Sequence, residues 1–188
     1  TPNNLYVIPL DLEKENLGEK ILKTLQLQIR KTPDWSRWRE KIEKMQNPTG
    51  EVNIALVGKY LDIGEFQLKD SYISVNEALK HAGAKNDVKV NIHWIDSKEM
   101  EKGNLPLENY HGILIPGGFG SSGVEGKIKA INYARTQKIP FLGLCFGLQL
   151  AVVEFARNVC GLKAHSTEID PEVEHKVIDI LPEQKQIT

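Results

Sequence analysis

Cysteine is scarce in this chain, with two among 188 residues, too few for a disulfide framework. The stretch between Cys145 and Cys160 reads as mostly helix. A rise of about 1.5 Å per residue then holds the two about 20 Å apart and excludes a bond between them. Cys160 is therefore expected to be structural. A surplus of either charge is also lacking: 24 Lys and Arg against 25 Asp and Glu leave a net charge of -1. That excludes the basic footprint of a nucleic-acid or membrane-surface binder. No apolar run approaches the ~20 residues of a membrane span, and the first residues carry no signal-peptide pattern. No nucleic acid and no membrane are expected as partners, and a reducing cytoplasm is the expected compartment. No group of Cys and His has zinc spacing, so no metal is expected. Internal repeats and low-complexity tracts are absent. What is present is ordinary globular material, 40% hydrophobic and 26% charged, enough for one proper core with a short appendage.

Thr1 to Leu10 reads as an irregular or extended opening segment broken by Pro2 and Pro9. Leu17, Ile21, Leu22 and Leu25 then recur at helical spacing behind Asn16 as a cap, and Pro33 ends that element. Asp34 is placed to cap a second helix carrying Trp35, Trp38, Ile42 and Met45 on one side. Both helices have apolar stripes but too little length for a core, so a packing arm is expected. After the linker Asn47-Pro48-Thr49-Gly50 the composition changes. Val52 to Val57 is a dense aliphatic strand. Asp70 to Gly83 reads as a helix with Tyr72, Val75, Ala78 and Leu79 inward and Gly83 as its stop. Val88 to Ile95 alternates as a strand near a sheet edge. Gly112 to Pro116 is a short buried strand, Val124 to Gln137 a helix, and Val177 to Leu181 a further strand. Strands alternating with helices predict an α/β fold: a mostly parallel sheet with helices on both faces, preceded by a short helical arm. Ligands in such folds sit at the carboxyl ends of the strands.

Two glycine-rich turns fall at that edge. In Pro140 to Leu150 a short apolar strand ends in Gly143-Leu144-Cys145-Phe146-Gly147 and continues as a helix. This is the layout of a nucleophile elbow with cysteine as the nucleophile. The glycines allow the sharp turn, and helix N-termini of this kind favour thiolate over thiol. A buried free cysteine is the plainer alternative. Pro116-Gly117-Gly118-Phe119-Gly120 is weak alone and is no phosphate loop, since Gly-x-x-x-x-Gly-Lys-Ser/Thr is absent. Beside an elbow it acquires meaning. A cysteine attacking an amide needs N–H donors for the developing oxyanion, and a glycine turn plus the residue after the nucleophile, Phe146, supply them.

Gln149 stands four residues past Cys145, on the nucleophile's side of the helix. With Glu168, in Ser166-Thr167-Glu168, it is suited to a substrate's α-carboxylate and α-ammonium; solvated surface residues are the alternative for each. The base that a nucleophilic cysteine needs is harder to find. His81, His93 and His111 lie on the wrong elements or the wrong edge. His165 and His175 have neighbouring carboxylates, Glu168 and Glu174, but no dyad spacing.

These residues resemble the class I (triad-type) glutamine amidotransferases, and more finely the glutaminase domains of the CTP synthase family. Beyond the two turns, the resemblance rests on Leu56-Val57-Gly58-Lys59-Tyr60, Glu77-Ala78-Leu79-Lys80-His81, Gly123-Val124-Glu125-Gly126-Lys127-Ile128, Glu154-Phe155-Ala156-Arg157-Asn158-Val159 and Ser166-Thr167-Glu168. It implies a flavodoxin-like sheet. It further implies that residues 1-48 end a synthetase domain and link it to a glutaminase domain over 49-188, whose C-terminal part is missing. Cys145 would attack the side-chain amide of L-glutamine, with an oxyanion hole at Gly118 and Phe146. Gly117, Gly118, Phe119, Gln149 and Glu168 would bind the glutamine. No cofactor is implied for this domain. ATP, Mg and UTP belong to the family's synthetase domain, GTP is its allosteric activator, and the assembly is a homotetramer. The family enzyme passes ammonia to its own synthetase domain for ATP-dependent amination of UTP to CTP.

Four departures accompany the resemblance. The family's His-Pro-Glu lies past Thr188, so this stretch by itself is expected to be inactive. Ser121-Ser122 stands where an arginine is usual, Asp62 to Lys69 is longer than usual, and Phe146 replaces a leucine. Two other readings are a non-catalytic interaction module and a cysteine-elbow hydrolase of the intracellular-protease-like superfamily, which usually has histidine at the position of Phe146.

Overall fold

The structure is a computed structural model that describes residues 4–59, 72–118, 120–181 and 183. The chain divides into two compact units, Thr1–Glu51 with Lys80–Lys89, and Val52–Leu79 with Val90–Thr188.

In the first unit the opening segment is helical, not extended. A 3-10 turn at Leu5–Val7 leads into α1 (Ile8–Lys14). Pro9 sits in the first helical turn, where its missing N–H is no loss, so it starts the helix instead of breaking it. α2 (Leu17–Thr24) follows, but Asn16 adopts a left-handed conformation and its side chain caps nothing. Asp34 does act as expected, accepting the Ser36 N–H at 2.9 Å at the start of α3 (Ser36–Gln46). Trp38 Nε1 donates to the Tyr6 carbonyl at 2.9 Å, and the Tyr6 hydroxyl meets His81 Nε2 at 2.6 Å. His81 is thus engaged by a tyrosine.

β1 (Gly50–Gly58) runs from exposed to fully buried along its length. α4 (Ile73–Asn86) passes through Gly83, which is buried, and the left-handed residue after the helix is Asp87. Gly83 thus lies inside the helix and does not stop it. β2 (Val88–Asp96) leads into α5 (Ser97–Glu101), a short helix with no apolar period long enough to announce it. β3 (Gly112–Ile115), α6 (Val124–Gln137), β4 (Phe141–Gly143) and α7 (Phe146–Asn158) then alternate as expected. The sheet order is β2-β1-β3-β4, with β2 at the edge. β1–β3 and β3–β4 are parallel. This is the flavodoxin-like order.

The second unit's core joins Val57, Ile113, Ile115, Ile128, Ile131, Phe146 and Leu150. α7 packs on α6, β3 and β4 and also against two short strands. These are β5 (Ala164–Ser166) and β6 (His175–Ile178), a parallel pair apart from the main sheet. β5 went unread from sequence, and β6 begins before the expected Val177. Three residues are too few for a periodic signal. Among the described residues no helix is long and apolar enough to cross a membrane.

A carboxylate is among the polar groups buried in this unit. Glu154, 1% exposed, accepts from Arg135, Asn132 and Asn158 at 2.8–3.2 Å. Burial alone would raise its carboxyl, but these three donors outweigh it and hold the group below the ordinary glutamate range. A depressed folded-state value means a stabilisation present above the unfolded value and lost as pH falls through the folded one. We expect Arg135→Met to strand the carboxylate and lower Tm by roughly 5 °C or more at pH 7. Below about pH 4.3, the ordinary glutamate value, the gap to the unsubstituted chain should shrink as Glu154 takes a proton. Thermal melts at pH 7 and pH 4 check this, and an unchanged gap would refute it.

Candidate active site

The register of two strands builds the site. Ile115 pairs with Gly143 across β3 and β4, and the Leu144 N–H donates to the Ile115 carbonyl at 2.9 Å. Whatever follows each strand must therefore emerge side by side. After β3 come Pro116, Gly117 and Gly118; after β4 comes Cys145.

Cys145 stands at the tip between β4 and α7 with φ 50 and ψ -108. This is a positive-φ conformation outside the left-handed helical region; such strained residues cost about 1–3 kcal/mol and cluster at functional sites. The Leu148 and Gln149 N–H groups bond the Cys145 carbonyl at 3.0 and 3.2 Å, locking the turn to the first helical residues. Close approach explains both elbow glycines. A Cβ on Gly143 would lie 2.6 Å from the Gly147 carbonyl, and one on Gly147 would overlap the Ile115 carbonyl oxygen. Cys145 is free and exposed. Cys160, expected to be structural, is also free and exposed.

A Cβ added at Gly117 would stand 3.5 Å from Cys145 Cβ, so the glycine turn lies against the cysteine. Among the described residues the N–H groups of Gly118 and Phe146 donate to no acceptor. Phe119 lies outside the described residues, as does the Asp62 to Lys69 segment. Gln149 is half-buried one turn along α7. Glu168 is exposed, and its Oε1 stands 3.5 Å from the Gly120 N–H, a long contact that still places the carboxylate at the glycine turn. It is carried there by β5: the buried Ser166 accepts the Glu168 N–H through its hydroxyl at 3.3 Å. The structure thus brings Cys145, Gly117, Gly118, Phe146 and Glu168 to one sheet edge from three separate parts of the chain.

No histidine joins them among the described residues. His93 stacks edge-on to Tyr110, and His111 Nδ1 accepts the Asn53 N–H at 3.0 Å. His165 does not line an open pocket beside Glu168. It is 6% exposed, its Nδ1 accepts the Ser166 N–H at 2.8 Å, and its Nε2 lies 3.9 Å from Glu125. Burial, aided by the charge of Arg157, pushes His165 down from the ordinary histidine value. His175 stands beside Glu174.

Sequence reasoning missed one residue. Lys127 lies on the inward side of α6 with Val124, Ile128 and Ile131 and is 4% exposed. Its Nζ sits 5.3 Å from the Phe146 ring centroid and 3.8 Å from where a Gly118 Cβ would stand. The available signal was a charge at an apolar helical position.

A cysteine at a strand–helix tip, facing a glycine turn at the carboxyl edge of a parallel sheet, defines a class of amide-attacking α/β enzymes. The family model for glutamine amidotransferase class-I matches residues 67–186, and the chain belongs to that family. Within it, the curated relatives are CTP synthases. Those of Methanococcus maripaludis and Methanocaldococcus jannaschii are 52% and 53% identical over 98% and 97% of this chain. That of Pyrococcus furiosus is 53% identical over 97%. The chain spans about a third of the length of these relatives, 33–35%. Among solved structures, the glutaminase domain of Trypanosoma brucei CTPS with bound acivicin is 39% identical with a TM-score of 0.61, covering 70% of this chain and 50% of that one.

Proposed function

We propose that this chain is the glutamine-hydrolysing part of a CTP synthase, with Cys145 as nucleophile. The observation that carries the reading is the Ile115–Gly143 register, which sets Cys145 against the Gly117-Gly118 turn. The Cys145 sulfur forms a bond to the amide carbon of glutamine, and the carbonyl π pair moves onto oxygen. The N–H groups of Gly118 and Phe146 meet that charge; such a donor is typically worth about 100- to 1000-fold in rate. Collapse expels ammonia once the nitrogen is protonated and leaves a γ-glutamyl thioester, which water hydrolyses to glutamate and free thiol. Gln149 and Glu168 hold the α-carboxylate and α-ammonium, while Gly117 and Phe119 shape the wall. Residues 1-48 serve as the end of, and link to, a synthetase domain, where ATP, Mg and UTP bind and the ammonia is consumed. GTP activation and a homotetramer belong to the same proposal.

Covalent labelling tests it. Acivicin is expected to modify Cys145 and spare Cys160, with free glutamine protecting, as read by peptide mass spectrometry. Modification of Cys160 instead, or of neither, would favour an interaction module. None of the five histidines contacts Cys145 among the described residues, so residues 1–188 by themselves should take the label yet release ammonia slowly. Rapid release, measured by a coupled ammonia assay, would instead make a local histidine the base.

A further inference from the structure

Lys127 is the least explained charge in the second unit. A buried lysine is rare unless paired, and replacing such a charge by an apolar residue of similar size is often neutral or stabilising. Here no carboxylate offsets the ammonium among the described residues; the one charge that acts on it is that of Lys59, of the same sign. Its neighbours are the Phe146 ring and Gly118. A ring face attracts an ammonium through its quadrupole without cancelling the charge, so the cation keeps its field for a third group. Burial, reinforced by the charge of exposed Lys59, pushes the Lys127 ammonium below the ordinary lysine value. The cation therefore stands in a place that suits it poorly until an anion arrives. Both of these neighbours carry N–H groups that donate to no acceptor among the described residues. Phe146, the departure from the family's usual leucine, supplies the ring that holds it.

We propose that Lys127 is a positioning residue of the oxyanion wall, standing behind Gly118 and Phe146 so that its charge stabilises the oxyanion those N–H groups receive. This rests on the glutamine-site reading above. Lys127 makes no bond to substrate. It acts on the step in which sulfur adds to carbon and the carbonyl pair becomes O⁻, and it leaves binding of intact glutamine unaltered.

A chloroketone analogue of glutamine reads that step. Sulfur adds to its ketone carbon and the π pair moves to oxygen; sulfur then shifts to the adjacent CH2 as chloride leaves, the bond to the ketone carbon breaks and the C=O re-forms, leaving a stable thioether. Iodoacetamide alkylates the same sulfur by direct displacement of iodide, with no oxyanion. Lys127→Met is expected to lower the maximal chloroketone inactivation rate about 10-fold, less than the loss of a direct donor. Its half-saturating concentration and the iodoacetamide rate should stay unchanged. Lys127→Arg should recover most of the loss. An unchanged chloroketone rate in Lys127→Met, or an equal fall in the iodoacetamide rate, would overturn the proposal; the latter would make Lys127 a structural residue only. If glutamine fails to protect Cys145 in the unsubstituted chain, the glutamine reading itself falls, and the role of Lys127 with it.

Discussion

Cys145→Ser is expected to cut covalent labelling by glutamine analogues by at least about 10⁴-fold, on the scale seen when a catalytic nucleophile is removed. The scaffold around position 145 does not depend on the sulfur. The turn is held by main-chain bonds, from Leu144 to Ile115 and from Leu148 and Gln149 to the Cys145 carbonyl. The strained φ of 50 belongs to the backbone as well. A serine should therefore fold in the same place and present a hydroxyl to the same wall. What changes is nucleophilicity, because an alkoxide is far harder to generate than a thiolate and no histidine stands by among the described residues to help. Glutamine binding should survive, since Gln149, Glu168 and the glycine turn are untouched. Calorimetric titration of Cys145→Ser with glutamine should give an affinity close to that of the unsubstituted chain. Retained labelling at position 145 would remove the cysteine from the mechanism. A lost affinity would show that the sulfur is part of the binding site.

Gly147→Ala is expected to destabilise the second unit by about 3 kcal/mol or more, at the upper end for overpacked sites, and to abolish glutamine-protected labelling. The added Cβ would overlap the Ile115 carbonyl oxygen and stand 2.9 Å from its carbon. That carbonyl cannot retreat, because it accepts the Leu144 N–H and so ties β4 to β3. α7 must then move away from the sheet. With it goes the Phe146 N–H, and the spacing between Cys145 and Gly117 opens. Urea denaturation and acivicin labelling measure the two effects separately. A chain with unchanged midpoint and normal protected labelling would show that the elbow has room that the structure denies it. Gly120→Ala offers a contrast: no atom stands near its Cβ position, though its φ of 81 makes alanine mildly strained there. It should cost about 1 kcal/mol.

Much of this was legible from residue order. The long elements announce themselves by period: α6 covers Val124 to Gln137 as read, because its apolar residues recur every three or four positions. The edge position of β2 follows from its alternation, with Lys89 and His93 exposed. The elbow is legible because few other demands place two glycines around a cysteine between an apolar strand and an apolar helix. Errors came where local signals conflict with context. Pro9 and Gly83 are breakers by composition, yet one starts a helix and the other is buried inside one. Asn16 is a cap by type but takes a left-handed turn. β5 is three residues long, and its role in delivering Glu168 has no sequence signature at all.

By itself, the sequence determined the alternation of the long elements, the cysteine set between two glycines at a strand–helix turn and the presence of a second glycine turn, since each is written in contiguous residues. Only the tertiary structure decided that they share a site. The pairing of Ile115 with Gly143 joins segments about one helix apart in the chain, and such pairing depends on which strands a sheet places side by side. The structure alone also revealed Lys127. A lysine within a helix reads as a solvated charge until the sheet is laid against it. The surrounding fold, not the residue, then removes the water and leaves its charge beside Gly118.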